Sequence, residues 1–123
     1  MTAEATIYTF LSGFKIPAYA ATSVPDDAEF PYLTYELATG DFMDGELAMA
    51  VHLWYRGDSE AVPNAKAREI AERITSGGRI IAFTGGAVWI KKGSPFCQSM
   101  GDTADDKIKR RYINMTVEFI TSD

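Results

Sequence analysis

Apolar residues recur at helical spacing in two stretches of the chain. In the first stretch they occupy positions i, i+3, i+4 and i+7, at Ile7, Phe10, Leu11 and Phe14. In the second stretch they are Ala67, Ile70, Ala71 and Ile74. Thr2 precedes the first stretch, Asp58 and Ser59 precede the second, and these residue types cap helix N-termini. The spacing predicts amphipathic helices near residues 3–13 and 61–76.

Elsewhere apolar and polar residues alternate with the period of two that is typical of β-strands. This alternation predicts strands near residues 31–39, 46–56, 79–83, 87–92 and 111–121. It is clearest in 46–56, where one face is wholly apolar and the other carries Ala48, Ala50, His52 and Trp54. Because neither face of this strand is very polar, we expect helices to cover one face and a neighbour to cover the other.

The order of these elements predicts the fold class. Lys15 to Val24 is extended but irregular, and Pro17 lacks the amide hydrogen of a central strand, so this segment is an edge strand or a linker. Turns are expected over Gly40–Gly45 and at Gly85-Gly86. The order α-β-β-β-α-β-β-β predicts a single α+β domain over residues 1–123, with one mainly antiparallel sheet and two helices packed on one face.

Composition and charge exclude several classes of protein. The formal net charge is −5, whereas proteins that read DNA or RNA usually carry a basic surplus. A single cysteine rules out an internal disulfide framework and a cysteine-cluster zinc site. No stretch approaches the ~20 apolar residues that span a bilayer, and a basic, apolar secretory leader is absent. We therefore expect an acidic, soluble, intracellular protein that contacts no membrane.

Catalytic chemistry has few candidates in this sequence. His52 lies on a strand face among alanines and Trp54, which favours a packing or interface histidine. Cys97 has no cationic neighbour close in sequence to activate its thiol. No Gly-x-Ser-x-Gly elbow and no phosphate-binding glycine loop occurs, and the acidic residues after position 101 lack calcium-loop spacing. We expect no catalytic residue, no cofactor and no metal.

The segment Gly93 to Arg110 shows few strand signals, and an irregular segment of that length is commonly functional. It contains Phe96 and Met100, which a lone domain would leave exposed to water. Acidic residues are followed there by basic ones, which fits either a solvated surface or a charge-matched joint between identical subunits. The predicted contacts with a neighbouring subunit or partner are Phe96, Met100, Asp102, Asp105, Asp106, Lys107, Lys109, Arg110 and Arg111.

The aromatic content also favours an oligomer. The chain contains 2 Trp, 6 Tyr and 7 Phe, more than a small core covered on one side needs. Tyr and Trp are enriched at protein interfaces. Self-association would therefore bury surface that a monomer exposes.

Five segments carry a family resemblance. They are Ile16–Tyr19, Phe30–Leu37, Val51–Arg56, Gly93–Phe96 and Ile108–Asn114. In this order and at this length, the chain resembles the tail terminator, or tail completion, proteins of long-tailed bacteriophages. The likeness is greatest to small tail components of phages and prophages of Gram-positive bacteria, and it covers most of the chain.

The resemblance implies a structural role in the virion. Family members are α+β proteins that form hexameric rings, cap the finished tail tube, stop its polymerisation and meet the head connector. DNA passes through the bore of the ring without specific binding, so we expect an acidic or neutral lining. The resemblance places the protein at the head-proximal end of the tail, after synthesis in the host cytoplasm.

Two other functions stay open at this point. Another head–tail joining protein, such as a stopper or an adaptor, would share the small β-rich fold and ring assembly but meet different neighbours. A small enzyme could build a site from His52, Cys97 and the acidic residues Asp102, Asp105 and Asp106. Substitution of His52 and Cys97 by alanine separates the classes, because only the enzyme loses a turnover.

Overall fold

The described part of the chain contains two helices and six strands, which follow one another in the predicted order. The structure, a computed structural model, describes residues 1–37, 45–102 and 104–121. The helices are α1 (Ala3–Ser12) and α2 (Ala61–Ile74). The strands are β1 (Ala18–Ala20), β2 (Tyr32–Leu37), β3 (Glu46–Arg56), β4 (Arg79–Phe83), β5 (Gly86–Met100) and β6 (Ile108–Thr121).

The six strands form one sheet in the order β1-β2-β3-β6-β5-β4. Only β1 and β2 run parallel, and the other neighbours are antiparallel. Pro17 lies just before the edge strand β1, where its carbonyl accepts a hydrogen bond from the Leu33 amide at 2.9 Å. The predicted α+β class and mainly antiparallel sheet are confirmed, and so is the edge strand.

Both helices lie on one face of the sheet. α2 packs on β3, β5 and β6, whereas α1 contacts β1 and β4, the two edge strands. The sheet is therefore curled into a half-barrel, and the helices lie inside the curl. The apolar face of β3 turns to the same side, and its residues Leu47, Met49, Val51, Leu53 and Tyr55 join the buried core.

Local capping fixes the helix ends. The Thr2 hydroxyl accepts a hydrogen bond from the Ala5 amide at 3.1 Å, as expected of an N-cap. Ser59 accepts one from the Ala61 amide at 3.1 Å and so supports the start of α2. α2 ends at Ile74, two residues earlier than predicted, because Thr75 leaves the helix with a φ of 72°.

The prediction that Gly93 to Arg110 is irregular was wrong. β5 continues to Met100 and β6 begins at Ile108, so only residues 101–107 connect them. A bulge between Lys92 and Cys97 interrupts the pairing of β5 with β6, which then resumes. Gly93 and a proline fall in this bulge and hide the strand pattern, because neither residue type suits a regular strand interior.

Some predictions fall partly outside the described residues. The strand expected over 31–39 is described up to Leu37. Of the turn expected over 40–45, only Gly45 is described. Within the described ranges, no helix is long and apolar enough to cross a membrane.

Candidate functional site

The sheet face turned away from the helices carries aromatic side chains across several strands. Tyr32 of β2 is opposite Trp54 of β3, and Trp54 is opposite Arg110 of β6. In the next row His52 of β3 is opposite Tyr112 of β6. Residues that are opposite each other, or two apart on one strand, share a face. These five residues form one surface, which we call the aromatic strip.

The side chains of the aromatic strip pack on one another. The rings of Tyr32 and Trp54 stack with their centroids 6.0 Å apart and their planes at 14°. Arg110 covers Trp54, with its Cζ 4.2 Å from the ring centroid, and His52 meets Tyr112 edge-on at 4.8 Å. Such stacked and cation–π contacts each contribute on the order of 1 kcal/mol. The strip is therefore ordered before any partner binds.

Hydrogen bonds hold Trp54 and His52 in place. The Trp54 indole Nε1 donates to the Thr34 hydroxyl at 2.9 Å, and Thr34 is buried beneath it. The Arg110 Nη2 lies 3.3 Å from His52 Nδ1. Burial, and then the charge of Arg110, lower the pKa of His52, while Glu36 opposes them. His52 is therefore neutral at pH 7, and its Nδ1 accepts the hydrogen bond from Arg110.

Arg110 keeps unused hydrogen-bonding capacity. Its Nε is buried and has no hydrogen-bond partner within the described part of the chain. A buried donor without a partner costs about 1–3 kcal/mol. Beside Arg110 lies an open hollow of about 400 Å³, bounded by the strip and by the connector between β1 and β2 at Ala21 and Val24. Arg110 lines this hollow, so a group of another molecule that enters the hollow contacts the arginine side chain.

Arg111, a predicted contact residue, points to the other side of the sheet. Its side chain is 3% exposed and lies beneath α2. Its Nε donates to Asn64 Oδ1 at 2.8 Å, and its Nη2 donates to Glu60 Oε1 at 2.7 Å. The hydrogen bond from Arg111 lowers the pKa of Glu60. The Arg111 side chain has no free surface for a partner, which corrects its assignment as a contact residue.

The lysines near the β5–β6 connection find partners inside the chain. Lys107 Nζ pairs with Asp58 and lowers the pKa of that carboxyl. Lys109 Nζ donates to the Asp106 carbonyl and lies 3.9 Å from Glu60 Oε2. These pairs are exposed to solvent, where ion pairs contribute little to stability.

Two acidic residues of the connection, Asp102 and Asp105, bind groups within or next to the turn itself. Asp102 Oδ1 accepts hydrogen bonds from the amides of Ala104 and Asp105 at 2.8 and 3.2 Å. The Lys107 amide and Arg56, whose Nε is 3.0 Å from Asp105 Oδ2, lower the pKa of Asp105. Of the two earlier alternatives, a solvated surface thus accounts for these charges without a second subunit.

The two apolar contact residues have separate positions. Phe96 packs against the core of its own chain and is partly buried, so the chain alone exposes it only in part. Met100 is 39% exposed and lies opposite Arg110, at the end of the row that includes Trp54 and Tyr32. Met100 and Arg110 therefore adjoin one another on the open face, whereas the other predicted contacts lie in the core or around the connection.

His52 and Cys97 lie on opposite faces of the sheet. Cys97 is opposite Ile113, and Ile113 is opposite Val51, which faces the core. Burial also raises the pKa of the Cys97 thiol, although Arg111 opposes this effect. The Cys97 thiol is therefore out of reach of the His52 imidazole, whereas a nucleophile must lie within hydrogen-bond distance of its general base. Among the described residues, no group of three or more His, Cys, Asp or Glu side chains is placed to hold a metal ion.

Sequence reasoning missed the aromatic strip as a unit. The apolar second face of residues 46–56 indicated that a neighbour covers it, which is the one relevant signal. The strand pairing that brings Tyr32 and Arg110 to Trp54 could not be read from alternation alone. The chain matches no model of a known protein family and no curated protein.

Proposed function

We propose that this protein is a structural component of a bacteriophage tail. Six copies form a ring that caps the finished tail tube, stops its polymerisation and joins the tail to the head connector. DNA passes through the bore without being read. The protein acts at the head-proximal end of the virion tail after synthesis in the host cytoplasm, and it has no enzymatic activity.

One observation carries this proposal beyond the resemblance of the sequence. Helices cover one face of the sheet, while the other face presents an ordered strip of aromatic side chains and an arginine. Aromatic residues and arginine are the residue types that dominate the energetics of protein interfaces. A subunit of a larger assembly needs such a face, and a ring component uses it against a neighbour.

The chemistry of the described residues favours a structural role over the enzyme alternative. An enzyme built on His52 and Cys97 requires the two side chains to meet, and they lie on opposite faces of the sheet. Two of the three acidic residues that were to complete this site have other partners: Asp102 binds amides of the turn, and Asp105 pairs with Arg56. Contact surfaces are therefore the main functional feature of the molecule.

A head–tail stopper or adaptor remains the second candidate. It would also be a small β-rich ring component and would use the same kind of face. The two candidates differ in their neighbours, because the terminator caps the end of the tail tube, whereas a stopper or adaptor meets other components of the head–tail joint. The morphology of particles that lack the protein distinguishes them.

The decisive experiment removes this protein from the phage or prophage that encodes it. With a terminator absent, electron microscopy should show tubes of uncontrolled length without heads, and antibody against the protein should label the head-proximal tail end of wild-type particles. Tails of normal length that fail to join heads would favour the stopper or adaptor. Normal, infectious particles would contradict both virion roles.

Complementation separates the structural role from the enzyme. The Cys97→Ser protein should restore tail length and infectivity to the level of wild type, because the thiol takes no part in assembly. His52→Ala serves as the companion variant. A defect of this variant should appear as a loss of particle assembly, not as the loss of an enzymatic reaction. Loss of infectivity with intact particle morphology in both variants would argue for the enzyme.

A further inference from the structure

The stacked rings of Tyr32 and Trp54 have a basic group on one side and an acidic segment on the other. Arg110 of β6 covers Trp54, and the ring of Phe30, which directly follows the acidic segment 26–29, packs on Tyr32. We propose that copies of this protein associate through the aromatic strip, with segment 26–29 of one copy against Arg110 of the next. This proposal rests on the proposed function, from which it takes the closed ring of subunits. It adds the surfaces through which neighbouring subunits bind each other.

The basic end is an incomplete binding site for an acidic group. Arg110 lies flat over Trp54 and contacts His52, and no carboxylate of the described residues lies within ion-pairing distance of it. A carboxylate is the natural partner, because guanidinium and carboxylate groups form strong paired hydrogen bonds.

The acidic end is a shaped and exposed loop. Asp26, Asp27 and Glu29 are exposed, and none forms an ion pair with another described residue. The Ala28 amide donates to the Pro25 carbonyl at 3.1 Å, which closes a turn around the two aspartates. The loop can therefore present several carboxylates together at low entropic cost.

An aromatic residue continues the strip to the acidic end. Phe30 follows the acidic loop, is 37% exposed and packs on Tyr32 with ring centroids 5.5 Å apart. Tyr32 in turn stacks on Trp54. The acidic loop and Arg110 thus lie on either side of these stacked aromatic rings, as charged groups surround the apolar core of an interface.

The two charged ends do not pair within one chain. None of Asp26, Asp27 and Glu29 forms an ion pair with Arg110. The strands of Arg110 and Tyr32 are separated by roughly 10 Å, because neighbouring strands are about 4.8 Å apart. A second copy that repeats the strip head to tail brings its acidic loop to this arginine. Such an interface leaves one free end of each kind, which further copies fill until the ring closes.

The other charges on this face do not reverse the argument. Glu36 lines the same hollow and would repel an incoming carboxylate. It is, however, opposite Ala50, two cross-strand rows away from the row of Trp54 and Arg110. Lys91, farther along the face, is already paired with Glu46 and Glu118. Within the aromatic strip, Arg110 carries a positive charge and has no carboxylate partner among the described residues.

The test is a charge swap measured by sedimentation of the full-length protein without any tail component. Arg110→Glu alone, and Asp26→Lys with Asp27→Lys alone, should each weaken self-association at least about tenfold, because like charges then face each other. An equimolar mixture of the two variants should associate like wild type, since every joint again pairs opposite charges. A misfolded variant could not be rescued by mixing.

The control reverses charges on the exposed side of α2. Arg68→Glu with Arg73→Glu changes the net charge more than Arg110→Glu does and should leave association unchanged. A wild-type protein that is monomeric at all concentrations, a mixture that stays dissociated, or an equal effect of the control would overturn the proposal. The two proposals can fail separately. If mixing restores association but the wild-type protein does not cap tail tubes, the tail function is refuted and the interface is still supported.

Discussion

The guanidinium of Arg110 lies 4.2 Å from the centre of the Trp54 ring, directly across the boundary between β6 and β3. Each residue is therefore placed by strand register and held by its neighbours, Trp54 by the Thr34 hydroxyl and Arg110 by His52. A preordered surface loses little side-chain entropy when it binds. This relationship is the reason to regard the open face as an interaction surface.

The first prediction concerns the end of β5 in the free protein. Because Cys97–Met100 pair with β6, their hydrogen-bonded amides should exchange slowly with solvent even without a partner. Segment 25–29 provides a fast reference. Hydrogen exchange with mass spectrometry on overlapping peptides measures both. Equally fast exchange in the two segments would contradict this prediction. It would mean that residues 97–100 become ordered only on assembly, as the sequence had indicated for an irregular segment.

The second prediction concerns the hydrogen bond between Arg111 and Asn64. Asn64→Ala leaves the buried Nε of Arg111 without its acceptor and should lower the free energy of unfolding by about 1–2 kcal/mol. Asn64→Asp keeps an acceptor and adds a negative charge near the start of α2, so it should retain stability. Urea unfolding measures both variants. Equal stability of the two would show that this bond contributes nothing.

The third prediction concerns Gly86, at the start of β5. A Cβ on Gly86 would lie 2.2 Å from the Ile120 carbonyl oxygen, so Gly86→Ala must displace β5 from β6. We expect a loss of about 1–3 kcal/mol in the free energy of unfolding. Gly77→Ala is the matched control, because a Cβ there meets no atom within 4 Å. Thermal or urea unfolding of both variants measures the difference. Similar unfolding midpoints for Gly86→Ala and Gly77→Ala would contradict the close approach of β5 and β6 at Gly86.

The fourth prediction is a pH dependence that arises from His52. Because burial and Arg110 lower its pKa below the ordinary value, the unfolded chain binds this proton more readily than the folded one. Stability should therefore fall as the pH is lowered through and below about 6.5. The His52→Gln variant should lack this component. The charged groups that face His52 are Arg110 and Glu36, and Tyr112 packs on its ring.

The measurement compares urea midpoints of wild type and His52→Gln between pH 8 and pH 5. Their difference should change in favour of the variant as the pH falls. The carboxyls of Asp58, Glu60 and Asp105 also have lowered pKa values, but they titrate at more acidic pH and are shared by both proteins. A constant difference across the range would show that His52 has the same pKa in the folded and unfolded chain.

Local patterns determined the elements of this fold. The helical spacing around Phe10 and Ile70 and the alternation in 46–56 identified both helices and the longest apolar strand face, because these periods follow from backbone geometry within one segment. The same alternation identified an apolar second face on 46–56. Chain order then limited the architecture to α+β.

Tertiary structure alone decided which residues meet. Register across β2, β3 and β6 brings Tyr32 and Arg110 to Trp54, places Cys97 on the opposite face from His52, and buries Arg111 beneath α2. A shift of one residue in pairing would exchange the faces of every side chain on a strand. Pairing between distant segments is set by the packing of the whole core, which no local period encodes, and so the aromatic strip exists only in the folded chain.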